Sequence, residues 1–245
     1  MTSRLEGQTA IVTGGARGIG LAIAHRLTDE GCRAVLWDVS SPSPEGASAF
    51  RPALIQHVDV TDYPSIERAF AEAVTRFGTV EILVNNAGIN GPVVETAAYP
   101  LDAWDKVLAV DLTGVFYCCR AVVPHMRERG YGRIVNISSI AGKEGTAGVA
   151  AYCAAKAGVI GFAKALAREL ATAGITVNSV TPVITQTELL REMTAEHIEQ
   201  ARRRIPMERF CTAEEIAAMV AWIASRECGF TTGGVFDISG GRATY

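Results

Sequence analysis

The chain has 245 residues, 49% of them hydrophobic and 20% charged, with a formal net charge of −3. That length suits one α/β domain with a substantial core, and the charge balance lacks the basic excess that nucleic-acid binding requires. No run of 18 apolar residues occurs, and the opening MTSRLEGQTAIVTGG has only the short apolar stretch AIV, so neither a membrane span nor a secretory signal is expected.

In chain order, strand patterns fall at 9–14 (TAIVTG), 33–38, 53–60, 80–87, 132–139, 174–182 and 234–239. Helical periodicity occupies 18–30, 64–77, 101–129, 151–173 and 213–225. Several strands are continuous apolar runs, as a parallel sheet covered on both faces demands. Strands alternating with helices imply right-handed crossovers, so the predicted fold class is α/β: a single domain over 1–245 with a doubly wound, seven-stranded parallel sheet flanked by helices. The stretch 40–50 is turn-like, so a helix after the second strand is expected to be short or absent. The segment 183–212 is long and polar and reads as a flap inserted after the sixth strand.

The first strand runs into TGGARGIG at 13–20. Gly14, Gly18 and Gly20 permit a tight turn and close backbone approach to a ligand. The following helix, beginning with Arg17, Gly18 and Ile19, turns its unpaired amides and positive dipole end toward a pyrophosphate. Asp38 ends the second strand 18 residues after Gly20. A carboxylate there accepts from the adenosine ribose hydroxyls and repels a 2′-phosphate, which argues for NAD over NADP; Arg17 partly offsets that repulsion. Asp59 and Val60 are read as ending the third strand, beside an adenine, and Asn85, Asn86, Ala87 and Gly88 as ending the fourth, all where parallel sheets bind ligands. Asn85 suits a purely structural tie between strands equally well.

Residues 150–156 read AAYCAAK. Tyr152 and Lys156 are four apart, so a helix sets both on one face, about 6 Å apart along its axis. A free tyrosine ionises at about 10, too high for a general base near neutrality, and a nearby ammonium favours the phenolate. Ser139 lies 13 residues before Tyr152, though Ser138 would satisfy backbone at the strand end equally well. Six cysteines form no C-x-x-C pair, and the four histidines show no ligand spacing near them. No metal site is expected, and the thiols read as buried and reduced in a cytoplasmic protein.

TGGARGIG, NNAG at 85–88, Ser139 and the Tyr152-x-x-x-Lys156 pair together resemble the short-chain dehydrogenase/reductase family, across Thr9 to Gly241. The resemblance implies a Rossmann fold and an NAD-dependent enzyme that interconverts a secondary alcohol and a ketone. Tyr152 is then the acid/base, Ser139 orients the substrate oxygen, and Lys156 also binds the nicotinamide ribose. Pro182, Ile184 and Thr187 join the cofactor contacts, and a homotetramer built on the two longest helices is implied. Two positions depart from the family pattern. Asp111 stands where relatives carry an asparagine of the proton relay, and keeps an acceptor while losing an amide donor. Val183 follows Pro182 in place of glycine.

Lys143 and Glu144 fall where relatives line the substrate pocket, and the flap adds Gln186, Glu188, Arg191, His197, Arg202, Arg203, Arg204 and Arg209. This suits a small polar or anionic substrate; Lys143 and Glu144 read equally as solvated loop charges, and most of the arginines read so first. The ending FDISGGRATY resembles family members acting on sugar acids, and implies that Arg242 and Tyr245 reach a partner subunit's site. The expectation is a dehydrogenase of a sugar acid or polyol. A β-ketoacyl carrier-protein reductase and a non-catalytic NAD-binding sensor stand as alternatives.

Overall fold

A computed structural model of the chain describes residues 3–42, 50–185 and 195–245, with the backbone alone at 195 and 197. Seven strands form one sheet: β1 (Thr9–Thr13), β2 (Arg33–Asp38), β3 (Leu54–His57), β4 (Ile82–Asn85), β5 (Gly132–Ile137), β6 (Ile175–Pro182) and β7 (Val235–Ile238). Their order is β3-β2-β1-β4-β5-β6-β7 and every pairing is parallel. The order reverses between β1 and β4, which opens a crevice at the carboxyl ends of those strands.

The helices are α1 (Gly18–Asp29), α2 (Tyr63–Phe77), α3 (Leu101–Leu108), α4 (Gly114–Arg129), α5 (Ala141–Glu144), α6 (Ala150–Leu170), α7 (Ala195–Arg203) and α8 (Ala213–Ile223). They cover both faces of the sheet because strand residues alternate between them. Val12, Leu36, Val84, Val135 and Val180 face Ile23 and Leu27 of α1 and Ile216 and Val220 of α8. Ile11, Val35, Leu83, Ile134 and Val177 face Ile66 of α2, Val115 and Val122 of α4, and Val159 and Leu170 of α6. Each fully buried aliphatic side chain of this kind contributes about 1.5–3 kcal/mol. The segments Leu101–Arg129 and Ala150–Leu170 reach mean hydropathies of 1.6 and 1.2, enough by length and composition for a membrane span. Of the 18-residue windows with those values, 44% and 39% are buried within the fold.

The strand and helix sequence matches the expected alternation, but several boundaries differ. The third strand was expected over 53–60 and pairs only over Leu54–His57, because its one partner, β2, ends at Asp38 opposite His57. β4 stops at Asn85 opposite Asn136 and β5 at Ile137 opposite Val180, although their neighbours β5 and β6 run on to Ile137 and Pro182. Asp59, Val60, Asn86, Ala87, Gly88 and Ser139 therefore lie in loops just beyond the strands. The helix expected over 101–129 is interrupted by a π turn at Ala109–Thr113. Most of the turn-like stretch 40–50 lies outside the described residues. Within the expected flap, α7 is helical, and Thr185 bridges Cys211.

At the glycine turn, Gly14 and Gly18 have φ of 62° and 54°, left-handed values that L side chains resist. Gly20 is required for another reason. A Cβ there would lie 2.1 Å from the Gly14 carbonyl oxygen and 2.5 Å from Asn86 Nδ2. Asn86 Nδ2 donates to the carbonyls of Thr13 and Gly14 at 3.0 Å, so α1 is pressed onto the turn that this amide braces. Gly20→Ala should cost about 1–3 kcal/mol through forced displacement of α1, read as a lower urea midpoint with an unchanged slope.

Five of the six cysteines are buried and Cys153 is partly exposed. Burial pushes the thiols of Cys32 and Cys119 up to about 12 and that of Cys211 up to about 11, and raises Cys118 and Cys228 as well. Shifts in that direction leave these thiols protonated and unreactive near neutral pH. A thiol reagent at about pH 8 should therefore label Cys153 first in the native protein, and the other five only after denaturation, as peptide mapping would show.

Candidate active site

The site forms where the loops after β1, β4 and β5 meet the start of α6. Thr13 ends β1, and its Oγ1 accepts from the backbone N–H groups of Asn86 and Ala87, both at 3.0 Å. This ties the loop after β4 to the glycine turn. Sequence reasoning missed this role of Thr13, and its signal was a threonine immediately before the glycine turn. Asn85 Nδ2 donates to Asn136 Oδ1 at 2.8 Å, bridging β4 and β5, so Asn85 takes the structural of its two readings.

Arg17 precedes α1 in an extended conformation and provides no side-chain cap to it. The first-turn amides of α1 thus open onto the glycine turn with no side-chain cap from Arg17, an arrangement that fits a bound phosphate. Asp38 Oδ2 accepts from the Ala16 N–H and Oδ1 from the Ser40 N–H, both at 2.9 Å. These bonds fix its carboxylate beside the turn, and each oxygen retains a lone pair for a ribose hydroxyl. Ile19 is partly buried against the core. Asp59 Oδ1 accepts from the N–H and the hydroxyl of Thr61, both at 2.8 Å, and Val60 packs under Gly114, where a Cβ would lie 2.8 Å from Val60 Cγ2. The glycine turn, Asp38 and the loop after β4 together make a cradle that fits a dinucleotide.

Lys156 is buried. Its Nζ donates to the Ile137 carbonyl at 3.1 Å, lies 3.2 Å from Asp111 Oδ2, and sits 5.5 Å from the centre of the Tyr152 ring. The i,i+4 spacing has placed phenol and ammonium on one face of α6. Asp111 is 0% exposed, and its Oδ1 accepts from the Ile89 N–H at 2.8 Å. Burial raises its carboxyl above the usual carboxylate range, while Lys156 and the Ile89 amide pull it back. Gly88 closes this corner, since a Cβ would lie 2.8 Å from Asp111 Oδ2 and 3.1 Å from Lys156 Nζ.

The two serines differ in their hydrogen-bond partners. Ser138 Oγ donates to the Lys156 carbonyl at 2.7 Å, pinning α6 to β5. Ser139 Oγ accepts from the Ala141 N–H at 3.1 Å, and no described residue takes its proton. Gly142 sits against the backbone of α6, where a Cβ would lie 2.7 Å from both the Lys156 carbonyl carbon and the Ala157 nitrogen. In this way α5 holds Ser139 close to the start of α6.

Lys143 Nζ contacts Asp237 Oδ2 at 2.7 Å and the Tyr245 backbone oxygen. Glu144 Oε2 accepts from Arg242 Nε and Nη2 at 3.0 and 2.8 Å, and the Tyr245 hydroxyl donates to the Lys143 carbonyl at 3.0 Å. Arg242 and Tyr245, expected to reach a partner subunit, thus engage α5 of their own chain. The partners of Lys143 are 94 and 102 residues away, and no local pattern announces such pairs. Pro182 ends β6, and its carbonyl accepts from the Ile140 N–H at 3.1 Å; Ile184 is 37% exposed nearby. Thr187, Gln186, Glu188 and Arg191 lie outside the described residues, as does the side chain of His197.

Residues 14–243 match a family model described as enoyl-(acyl carrier protein) reductase. The chain is 43% identical to 2-dehydro-3-deoxy-L-rhamnonate dehydrogenase (NAD(+)) of a Sphingomonas species, over 99% of this chain and 98% of that protein. It is 40% identical to acetoacetyl-CoA reductase of Cupriavidus necator, over 98% of each. It is 37% identical to a 3-oxoacyl-[acyl-carrier-protein] reductase of Haemophilus influenzae, over 97% of this chain and 98% of that protein. With likeness of this degree along the whole chain, on a seven-stranded parallel sheet carrying the Ser139, Tyr152 and Lys156 pattern, the chain belongs to the short-chain dehydrogenase/reductase family.

Proposed function

We propose that the chain is an NAD-dependent oxidoreductase that interconverts a secondary alcohol and a ketone on a small sugar acid or polyol. The observation that carries this reading is the Tyr152–Lys156 face of α6, with its buried ammonium 5.5 Å from the phenol ring. The similarity to an NAD-dependent rhamnonate-type dehydrogenase supports the substrate class, and Asp38 beside the glycine turn supports NAD over NADP.

The residues that would hold the dinucleotide are Gly14, Arg17, Gly18, Ile19 and Gly20 at its phosphates and Asp38 at the adenosine ribose. Asp59 and Val60 would flank the adenine. Asn86, Ala87, Gly88, Lys156, Pro182, Ile184 and Thr187 would line the nicotinamide half. When bound, the nicotinamide supplies the hydride acceptor for alcohol oxidation, or the donor for ketone reduction. Tyr152 takes the hydroxyl proton in oxidation and returns it in reduction. Lys156 favours the charged phenolate by its proximity. Ser139 donates its uncommitted proton to the substrate oxygen and orients the carbinol carbon. Asp111 anchors the inner end of the proton path. Lys143 and Glu144 form the pocket wall on α5, with the segment 183–212 as the flap over it. We place the enzyme in the cytoplasm, as a homotetramer built on the α4 and α6 faces.

Reductases of acyl thioesters also stand among the relatives, at 37–40% identity, which makes ketone reduction on a thioester the second reading. A panel of sugar acids and polyols assayed with NAD, beside acetoacetyl-CoA assayed with NADH and NADPH, separates the two. We expect turnover of a sugar acid or polyol with NAD. Faster turnover of the thioester with NADPH would transfer the chain to the second reading. Tyr152→Phe should lower kcat by roughly 10²–10⁴-fold, the range of a lost general base, and full activity in that variant would overturn the assignment.

A further inference from the structure

The Lys156 ammonium faces the buried Asp111 carboxyl. Asp111 Oδ2 lies 3.2 Å away, while the acceptor of the ammonium's hydrogen bond, the Ile137 carbonyl, is neutral. Asp111 is carried by the π turn at Ala109–Thr113 and locked there by the Ile89 N–H on Oδ1, so Oδ2 is left to the ammonium. Gly88 brings backbone against both groups, and both are buried. Little water screens such a pair, and charge effects at this depth are larger than at the surface.

We propose that Asp111 is a positioning residue acting through Lys156: its carboxylate holds the ammonium directly and cancels much of the positive field that reaches Tyr152, setting alcohol oxidation to a more alkaline pH than a neutral residue at 111 would give. The inference rests on the assignment of Tyr152 as the acid/base. Seen from the phenol, carboxylate and ammonium together act as a dipole rather than as a unit positive charge. The remaining charges of the surrounding elements are engaged elsewhere or face solvent. Asp102, Asp105 and Lys106 of α3 are exposed. Lys143 and Glu144 of α5 pair with Asp237 and Arg242. Arg133 of β5 binds the carbonyls of Ser225 and Gly174.

The sign follows from the charge removed. Oxidation needs the phenolate, and deleting a nearby negative charge favours the phenolate. In Asp111→Asn, the acidic limb of the kcat/KM profile for oxidation should therefore move to lower pH by about one unit, a roughly tenfold gain in rate on that limb. Asp111→Ser, which also removes the charge, should move it the same way. A purely structural role would lower rates at all pH values without moving the limb. Ultraviolet titration of tyrosinate in the cofactor-free protein, with Tyr152→Phe as the subtraction, should show the same shift without any turnover. A limb and a titration that stay in place or move upward in both variants would overturn the proposal, and so would failure of both variants to fold. If Tyr152→Phe is itself active, the functional assignment falls. If Tyr152→Phe is inactive while the Asp111 variants leave the limb unmoved, only this inference falls.

Discussion

The buried ammonium of Lys156 is the interaction on which the site depends. A charge at this depth is tolerated only when polar partners replace its lost hydration. Here they come from three parts of the chain: the Ile137 carbonyl at the end of β5, Asp111 in the π turn, and the Tyr152 ring one helical turn away on α6. The same residue also accepts, through its carbonyl, the hydrogen bond from Ser138. Lys156 therefore fixes where α6 sits relative to β5, and with it where Tyr152 stands relative to Ser139.

A second constraint is steric. Gly14, Gly20 and Gly88 each stand where a Cβ would approach another group within 3 Å. At Gly20 the groups are the turn's own carbonyl and the Asn86 amide, and at Gly88 the nearest is the Asp111 carboxylate. These close approaches set the loops after β1 and β4 against each other and against the Lys156 side of α6. The loops at the carboxyl ends of β1 and β4 are thus closely packed against each other, the kind of support that holding a reacting group in place requires.

Much of this was legible in the sequence because it is written locally. The glycine turn, the apolar strand runs and the i,i+4 pair on α6 are all short-range patterns, and the structure places them in the expected elements. Where each strand stops was not legible. β3 ends because β2 runs out, a property of the neighbour and not of residues 58–60. The π turn was hidden within an unbroken helical pattern, since widening a turn around Asp111 leaves the apolar spacing on either side intact. The links from α5 to Asp237, Arg242 and Tyr245 join segments about 100 residues apart, and only the folded chain brings them together.

Those long-range links alter how charge at the substrate side should be read. In the sequence, Lys143 reads equally as pocket or as solvated charge, and most of the arginines of 202–209 read as solvated loop charges. In the structure most of these charges are already balanced. Lys143 faces Asp237, Arg242 faces Glu144, Arg202 and Arg203 share Glu199, and Arg209 grips Glu215. Hydrogen bonds from Arg202 and Arg203 draw Glu199 down to about 2, and those from Arg209 and the Thr212 amide do the same for Glu215. Both carboxylates therefore stay ionised throughout the physiological range. The flap pairs are solvent-exposed, so each is held weakly and exchanges partners at little cost. The Lys143 pair is more enclosed, with side chains 10% and 21% exposed. A substrate carboxylate would meet cations that must exchange one anion for another. Such exchange rewards a ligand for fitting the geometry rather than for its charge alone. Under the proposed function, selection among substrates would then fall to shape and hydroxyl placement around Ser139, whose proton no described residue takes.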